Sequence, residues 1–387
     1  MTQALDAAID SYLASRADTP VLVRQAMAAE PDDLLAVCLM GYLTRLAGDR
    51  DNAERSAALH RDLAARIAAG AGTERERGHV RALGLWLDDR LHSLMAHFET
   101  LLDADPTDIL ALRMAHYLYF YDGDAARMRD SVAARLADFA GHRLEGYVRG
   151  MLAFGHEEAG DYAAAERHGR AAVSSNAHDI WAAHAVAHVM EMQGRDDEGI
   201  AWIRQQRPHW QGANNFRCHL DWHEALCHLD RGDLDAVLAL YDDAVAPALE
   251  DDFYLDLCNA TSLLLRLEAR GVDVGDRWTP LAALAEHHTG DRELVFASLH
   301  YLMPLLRTEN PHADALFATL DAWSESDTTQ GRVVREVALN VADFLAAAQR
   351  GDKAAATEAF AGFRGNLHRI GGSHAQRDLF RILAEAA

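Results

Sequence analysis

The sequence predicts an all-α protein, a solenoid of stacked helical hairpins closed by its C-terminal helices around a central cavity. Three observations predict it. Alanine, leucine, arginine, aspartate and glutamate are abundant and only 8 of 387 residues are proline, which favours helices over strands. Apolar residues recur at helical spacing, and no alternating run is strong enough to name as a strand. Finally, a glycine-centred turn recurs as DGDAARM at Gly123, AGDYAAAE at Gly160, QGRDDEGI at Gly194 and RGDLDAVL at Gly232, in steps of 37, 34 and 38 residues.

A helix–turn–helix unit of about 34 residues is the tetratricopeptide period, and small insertions explain the longer steps. The block 147–180 fits it best: Ala153 is the small residue of the first helix, Gly160-Asp161-Tyr162 make the turn, and Ala165 packs the second helix. Such a pair cannot bury its own apolar face, so neighbours must stack.

Taken in order, residues 3–16 form an amphipathic helix with Leu5, Ile9, Tyr12 and Leu13 on one side, and another helix follows Pro20. LLAVCLMGYLTRLAGD opens a pair that runs to about Ile67, AAGAGT (68–73) breaks it, and a second pair ends at Pro106. After Asp252 the period weakens. FYLDLCNATSLLLRLEAR is an apolar helix ended by Gly271, TENPHADA is a break, and a last pair turns at Gly351 before IGGSHAQRDLFRILAEAA closes the chain. Three regions follow: N-terminal helices (1–70), repeats with a histidine-rich inner face (71–250), and a C-terminal helical region that completes the solenoid (251–387).

Charge and composition exclude several functions. A net charge of −23 argues against nucleic acid and anionic membrane as partners, because both need basic surface. Lys353 is the only lysine, so there is no phosphate-loop, kinase or Schiff-base lysine. The four cysteines form no C-x-x-C and read as free buried thiols of a reducing compartment. The N-terminus lacks the apolar core of a secretion signal, and no apolar run reaches the length of a membrane span, so a cytoplasmic location is expected.

The chemistry-bearing residues gather in 180–229. His184 and His188 stand four apart on one helix, His219 and His223 four apart on another, so each pair presents two imidazoles on one face. With the turn glycine at the fifteenth position of a repeat, Trp181, His184, His188 and Glu191 fall on the concave side. So do Tyr147, Gly150, Phe154 and Glu157 one repeat earlier, and Leu110, Arg113, Tyr117 and Phe120 before that. Trp222 joins the stripe of His219 and His223; Asp221 and Glu224 would fall at apolar positions, and Glu224 points away from the cluster.

Two H-x-x-x-H pairs with Glu191 could bind a divalent metal such as zinc, iron or manganese, act as acid–base and hydrogen-bonding groups, or be structural. The protease form H-E-x-x-H is absent. In GGSHAQRD, Ser373 with His374 suggests a nucleophile pair, while Ser373 with Gln376 forms a capping box. His374 and Arg377 could reach a ligand from that helix start. Asp256, Asn259 and Arg266 share one side of an apolar helix, where polar groups must be paired.

HAVAHVMEMQGRDDEGIAW, HLDWHEALCHLDRG, SLLLRLE and IGGSHAQRDLF, with RERGHV, DILALRMAHYLYFYDGD and LAFGHEEAGDY, resemble the tetratricopeptide repeat protein 38 family from about residue 75 onward. The resemblance implies an α-helical repeat protein with no settled activity. It matches the family's histidines to His184, His188, His219 and His223, and its end motif to Gly371–Asp378. Against the family pattern, Asp221 and Glu224 replace an aromatic and an apolar residue, Asn259 an aspartate, and Leu265 a tryptophan.

Two functions are carried forward. The first is a pocket for a small-molecule ligand or substrate, with hydrolysis as the candidate reaction. There His184, His188, His219 and His223 bind or activate the substrate and Glu191 orients an imidazole. Tyr117, Trp181, Trp222, His374 and Arg377 or Arg266 contact the ligand, the guanidinium holding an anionic group. The second is a non-catalytic scaffold that takes a peptide or partner helix in the concave groove. A homo-oligomer is compatible with either.

Overall fold

A computed structural model describes residues 3–386, and they fold as an all-α repeat of antiparallel hairpins. The hairpins that build the site are Ile109–Asp122 with Ala125–Arg135, Glu145–Glu158 with Tyr162–Ser175, Ile180–Met192 with Asp196–Gln206, and Phe216–Asp230 with Leu234–Leu240. Among the described residues the one pairing of strand type is an isolated bridge between Arg16 and Ala213. No described helix is long and apolar enough to cross a membrane.

The repeated turn has a simple physical cause. Gly123, Gly160, Gly194 and Gly232 all take positive φ, from 64° to 82°, which ends one helix where a side chain would be strained. At two of these turns the aspartate after the glycine caps the next helix: Asp124 accepts from Arg127 N–H at 3.0 Å and Asp161 from Ala164 N–H at 3.2 Å. After Gly232 the regular second helix is short and passes into a π-helical turn, Tyr241–Val245, and a 3-10 turn, Pro247–Asp251. That distortion lies just ahead of Asp252, after which the period weakens.

Small residues bring the hairpins close. A Cβ on Gly169 would lie 2.5 Å from Val186, and one on Gly150 would lie 3.0 Å from Ala182. The inner helix Ile180–Met192 is therefore buried almost all round. Its N-terminus is held by Asp179, which accepts from Ala182 N–H at 3.0 Å. Trp202 Nε1 donates to Ala183 O at 2.9 Å and ties the outer helix to it.

The array curls until distant hairpins meet. Asn214 N–H donates to Ser15 O at 2.7 Å, and Ala17 N–H to Gly212 O at 3.0 Å. Arg45 pairs with Glu293. Thr329 N–H donates to Asp89 O at 2.9 Å, and Leu91 N–H to Thr329 Oγ1 at 3.0 Å. Gly123 packs against the backbone of His368, and the C-terminal helix His374–Ala386 packs on Tyr254–Ala269. Both N-terminal and C-terminal segments thus turn back over the concave face. The apolar core divides into a cluster running from Leu5 to Ala185, a second from Trp222 to Phe380, and a smaller one around Val186, Trp202 and Leu220.

Candidate functional site

The four histidines of the two inner helices meet. The ring centroids of His184 and His188 lie 4.3 Å apart, those of His188 and His223 4.3 Å, and those of His219 and His223 4.7 Å. His184 lies 5.1 Å from each of His219 and His223. One ring nitrogen from each comes within 4.8 Å of the other three, and all four residues are buried. Burial lowers the pKa of every ring, and proximity to the other imidazoles lowers those of His184 and His219 further, so the rings are neutral near pH 7.

The outer edge of the cluster is hydrogen-bonded. Nδ1 of His223 lies 2.6 Å from Glu191 Oε2, and Nδ1 of His219 lies 3.0 Å from Asn259 Oδ1. The Nε2 atoms of these two rings face each other at 3.2 Å. His188 Nδ1 stands 3.5 Å from Glu157 Oε2, too far for a hydrogen bond, and His184 has no partner on either nitrogen. Glu157, Glu158 and His188 form a second cluster of converging donor atoms. Burial pushes the Glu157 carboxyl up to about 8 and that of Glu191 up to about 7, with His188 and Arg266 pulling the latter down.

His184, His188 and His219 form one wall of a cavity of about 340 Å³; His223 stands behind them. Tyr117, Phe154, Trp181, Phe216, Tyr254 and Phe296 make much of the remaining wall, with Tyr12 from the first helix and Ser373 and Gln376 from the last. Arg113, fully buried, braces the aromatic side. Its guanidinium lies 4.2 Å from the Trp181 ring and 4.4 Å from that of Tyr117, and its Nη2 donates to Tyr117 Oη at 2.8 Å.

Of the other residues singled out in the sequence, Ser373 reaches the cavity wall, while Trp222, Arg266, His374, Arg377, Asp221 and Glu224 do not. Trp222 stacks flat on His219, 5.2 Å between centroids, and supports that ring rather than lining the cavity. Arg266 donates to Ala375 O at 2.6 Å and to Ser262 Oγ at 3.2 Å, with Asp378 at 3.7 Å; it clamps the C-terminal helix. Arg377 bonds Gly372 O beside Glu158, and His374 Nε2 lies 3.1 Å from Glu158 O. Neither reaches the cavity wall. Arg266 and His374 instead border a groove on the outer side of Glu191. Ser373 is engaged in the capping box: its N–H donates to Gln376 Oε1 at 2.8 Å and its Oγ accepts from Gln376 N–H at 3.2 Å. Glu224 and Asp221 are paired outward, Glu224 with Arg204 at 2.6 Å and with Arg207, Asp221 with Arg207 at 2.6 Å.

Two polar groups of the site were outside the predicted set. Glu157 was on the concave stripe at the same repeat position as Glu191, and that register was the signal for it. His116 is buried against Phe154 and Trp181 with neither nitrogen bonded; it carried no spacing that could have found it.

Fold and site together define a curled helical-hairpin solenoid with a cluster of four neutral imidazoles beside an aromatic cavity. No protein-family model matches the chain.

Proposed function

We propose that the protein takes a small, largely apolar molecule into the aromatic cavity and presents one polar group of it to the histidines, where a water is activated for hydrolysis. The observation that carries this reading is the provenance of the cavity wall. Residues from Tyr12 to Gln376 contribute to it, and the volume falls in the range of small-molecule sites, with three histidines set among aromatic side chains. A groove for a peptide or partner helix needs an open concave face, and here the segments around Ser15, Thr329 and Gly371 cross it. His188 is one of the three rings that face the cavity, and it stands between the substrate space and Glu157, whose Oε2 lies 3.5 Å away. The resemblance to the tetratricopeptide repeat protein 38 family supports the same residues, since its motifs supply the imidazoles and the capped start of the last helix.

The experiment is a thermal-shift and native mass-spectrometry screen with small aromatic and aliphatic esters, amides and acids. Hits are then tested against Ala47→Trp, which enlarges a small residue of the cavity wall. Stabilising ligands that lose their effect in this variant, and whose esters or amides are turned over by wild type but not by His188→Gln, support the proposal. A folded protein that binds a helical peptide and none of the small molecules overturns it.

A further inference from the structure

We infer that the four histidines form a binding site for one divalent transition metal ion of the kind that prefers imidazole, zinc or iron(II). This deepens the pocket reading and rests on it only for the role given to the metal. The argument starts from which ring nitrogens are already engaged. Glu191 Oε2 and Asn259 Oδ1 are acceptors, so His223 and His219 donate outward from Nδ1. Each neutral ring then turns an Nε2 lone pair inward, and these two atoms face each other at 3.2 Å. Two lone pairs at that distance repel unless a cation lies between them.

A proton could serve that one pair. It could not serve His184 or His188, whose nitrogens are buried and have no partner at all. Unmet buried polar atoms are costly, and each of these two rings can turn one free nitrogen toward the point that the Nε2 atoms of His219 and His223 already face. A metal ion would take one nitrogen from each of the four rings, including one from each of the two rings that have no hydrogen-bond partner. A tetrahedral ion with metal–nitrogen bonds of about 2.0–2.1 Å sets its ligand nitrogens roughly 3.4 Å apart. The 3.2 Å approach of the two Nε2 atoms is close to that spacing, and all four rings offer a donor within 4.8 Å of the others. The outer partners complete the pattern, because a metal-binding histidine ordinarily donates its other nitrogen to a carboxylate or amide oxygen.

The donor set also selects the ion. Four imidazoles with no oxygen among them disfavour calcium and magnesium and favour zinc, iron, copper and nickel. The ligands are uncharged, and Glu191, which bonds His223, and the Glu157–Glu158 pair beside His188 are the acidic groups nearest the site. Three of the four rings form the cavity wall, so the ion would lie at the edge of the space that takes the small molecule. Four imidazoles fill a tetrahedral ion's coordination, so its role would be to fix the rings that face the cavity.

The test uses the full chain, stripped with a chelator and titrated with zinc or with cobalt(II) as a visible probe. We expect one ion per chain by elemental mass spectrometry, and cobalt(II) absorption bands in the visible. His219→Ala and His184→Leu should both lose the bound ion; the second replaces an unbonded ring with an apolar side chain and should stay folded by circular dichroism. Glu191→Gln keeps the ligands but weakens the outer support, and should lower zinc affinity by about 10- to 100-fold. A folded wild-type chain that takes up no stoichiometric zinc or cobalt(II), or equal uptake by His184→Leu, overturns the inference. Small-molecule binding is measured on the same stripped protein. Cavity binding without metal uptake sinks the metal site alone, and metal uptake without any cavity ligand sinks the pocket reading alone.

Discussion

Replacing His184 with leucine should make the metal-free protein more stable and the metal-loaded protein less so. Both ring nitrogens of His184 are buried without a hydrogen-bond partner. A buried polar group left unsatisfied costs about 1–3 kcal/mol. Leucine carries no such group, and the site around it is already apolar, with Phe154 at 5.2 Å and Phe216 at 4.9 Å between ring centroids. Some packing of the flat ring against these aromatics is lost. Two such nitrogens would cost about 2–6 kcal/mol, and with the lost packing set against the low end of that range the net gain for His184→Leu in chelator is about 1–2 kcal/mol. With zinc the order reverses, because an ion bound only by the native state adds RT ln(1 + [L]/Kd), about 4 kcal/mol at a thousandfold excess over Kd. Wild type receives that increment and the variant does not. The assay is denaturant unfolding of both proteins, each with chelator and with zinc. If His184→Leu were the weaker protein by 2 kcal/mol or more in chelator, His184 would be a well-satisfied core residue and the reasoning would fail.

Further predictions concern residues away from the cluster. Asp108→Ala should cost about 3–5 kcal/mol by urea unfolding, since it strips Arg75 (2.7 Å) and buried His79 (3.0 Å) of their carboxylate and uncaps the helix Ile109–Asp122. Gly123→Ala should destabilise by more than about 1 kcal/mol and expose the His368 segment to protease, because φ is 72° and a Cβ would lie 2.2 Å from His368 O. Ser373→Ala should cost about 1 kcal/mol through the lost cap and leave ligand turnover intact; loss of turnover in a folded protein would instead mark Ser373 as a nucleophile. His288 gives a pH signature. Burial pulls its pKa down, but hydrogen bonds to Asp291 (2.8 Å) and Asp252 (3.0 Å) outweigh this and raise it to about 9. A raised folded-state value stabilises fully below the unfolded value of about 6.5 and is lost as pH climbs through 9. The stability difference between wild type and His288→Gln should therefore be greatest near pH 6 and fade toward pH 10, as thermal melts would show.

Much of the fold was legible because its signals are local. A glycine followed by aspartate specifies a helix end and the next helix start, and both are read within a few residues, as at Gly123-Asp124 and Gly160-Asp161. The two histidine pairs were legible for the same reason, since i and i+4 share a face whatever the rest of the chain does. What the spacing could not say was where the terminal motif points. Arg266, His374 and Arg377 look like ligand-binding groups in sequence. The partners of Arg266 and His374, Ala375 O and Glu158, are fixed by the packing of the last helix on helices more than a hundred residues earlier, and Arg377 turns back on Gly372 O beside that same Glu158. Asp221 and Glu224 were hard to read in the same way, because Arg204 and Arg207 sit on a neighbouring element. The aromatic wall is likewise a product of long-range curling: Tyr12, Tyr254 and Phe296 have no common register in the chain.

The most direct measurement is X-ray absorption at the zinc edge on the reconstituted, full-length protein. The account predicts a first shell of nitrogen alone, at about 2.0–2.1 Å, with outer-shell scattering from four imidazoles. A shell containing sulfur, or one dominated by carboxylate oxygens with fewer than three imidazoles, would place any bound zinc elsewhere and leave the histidine cluster without the role assigned to it.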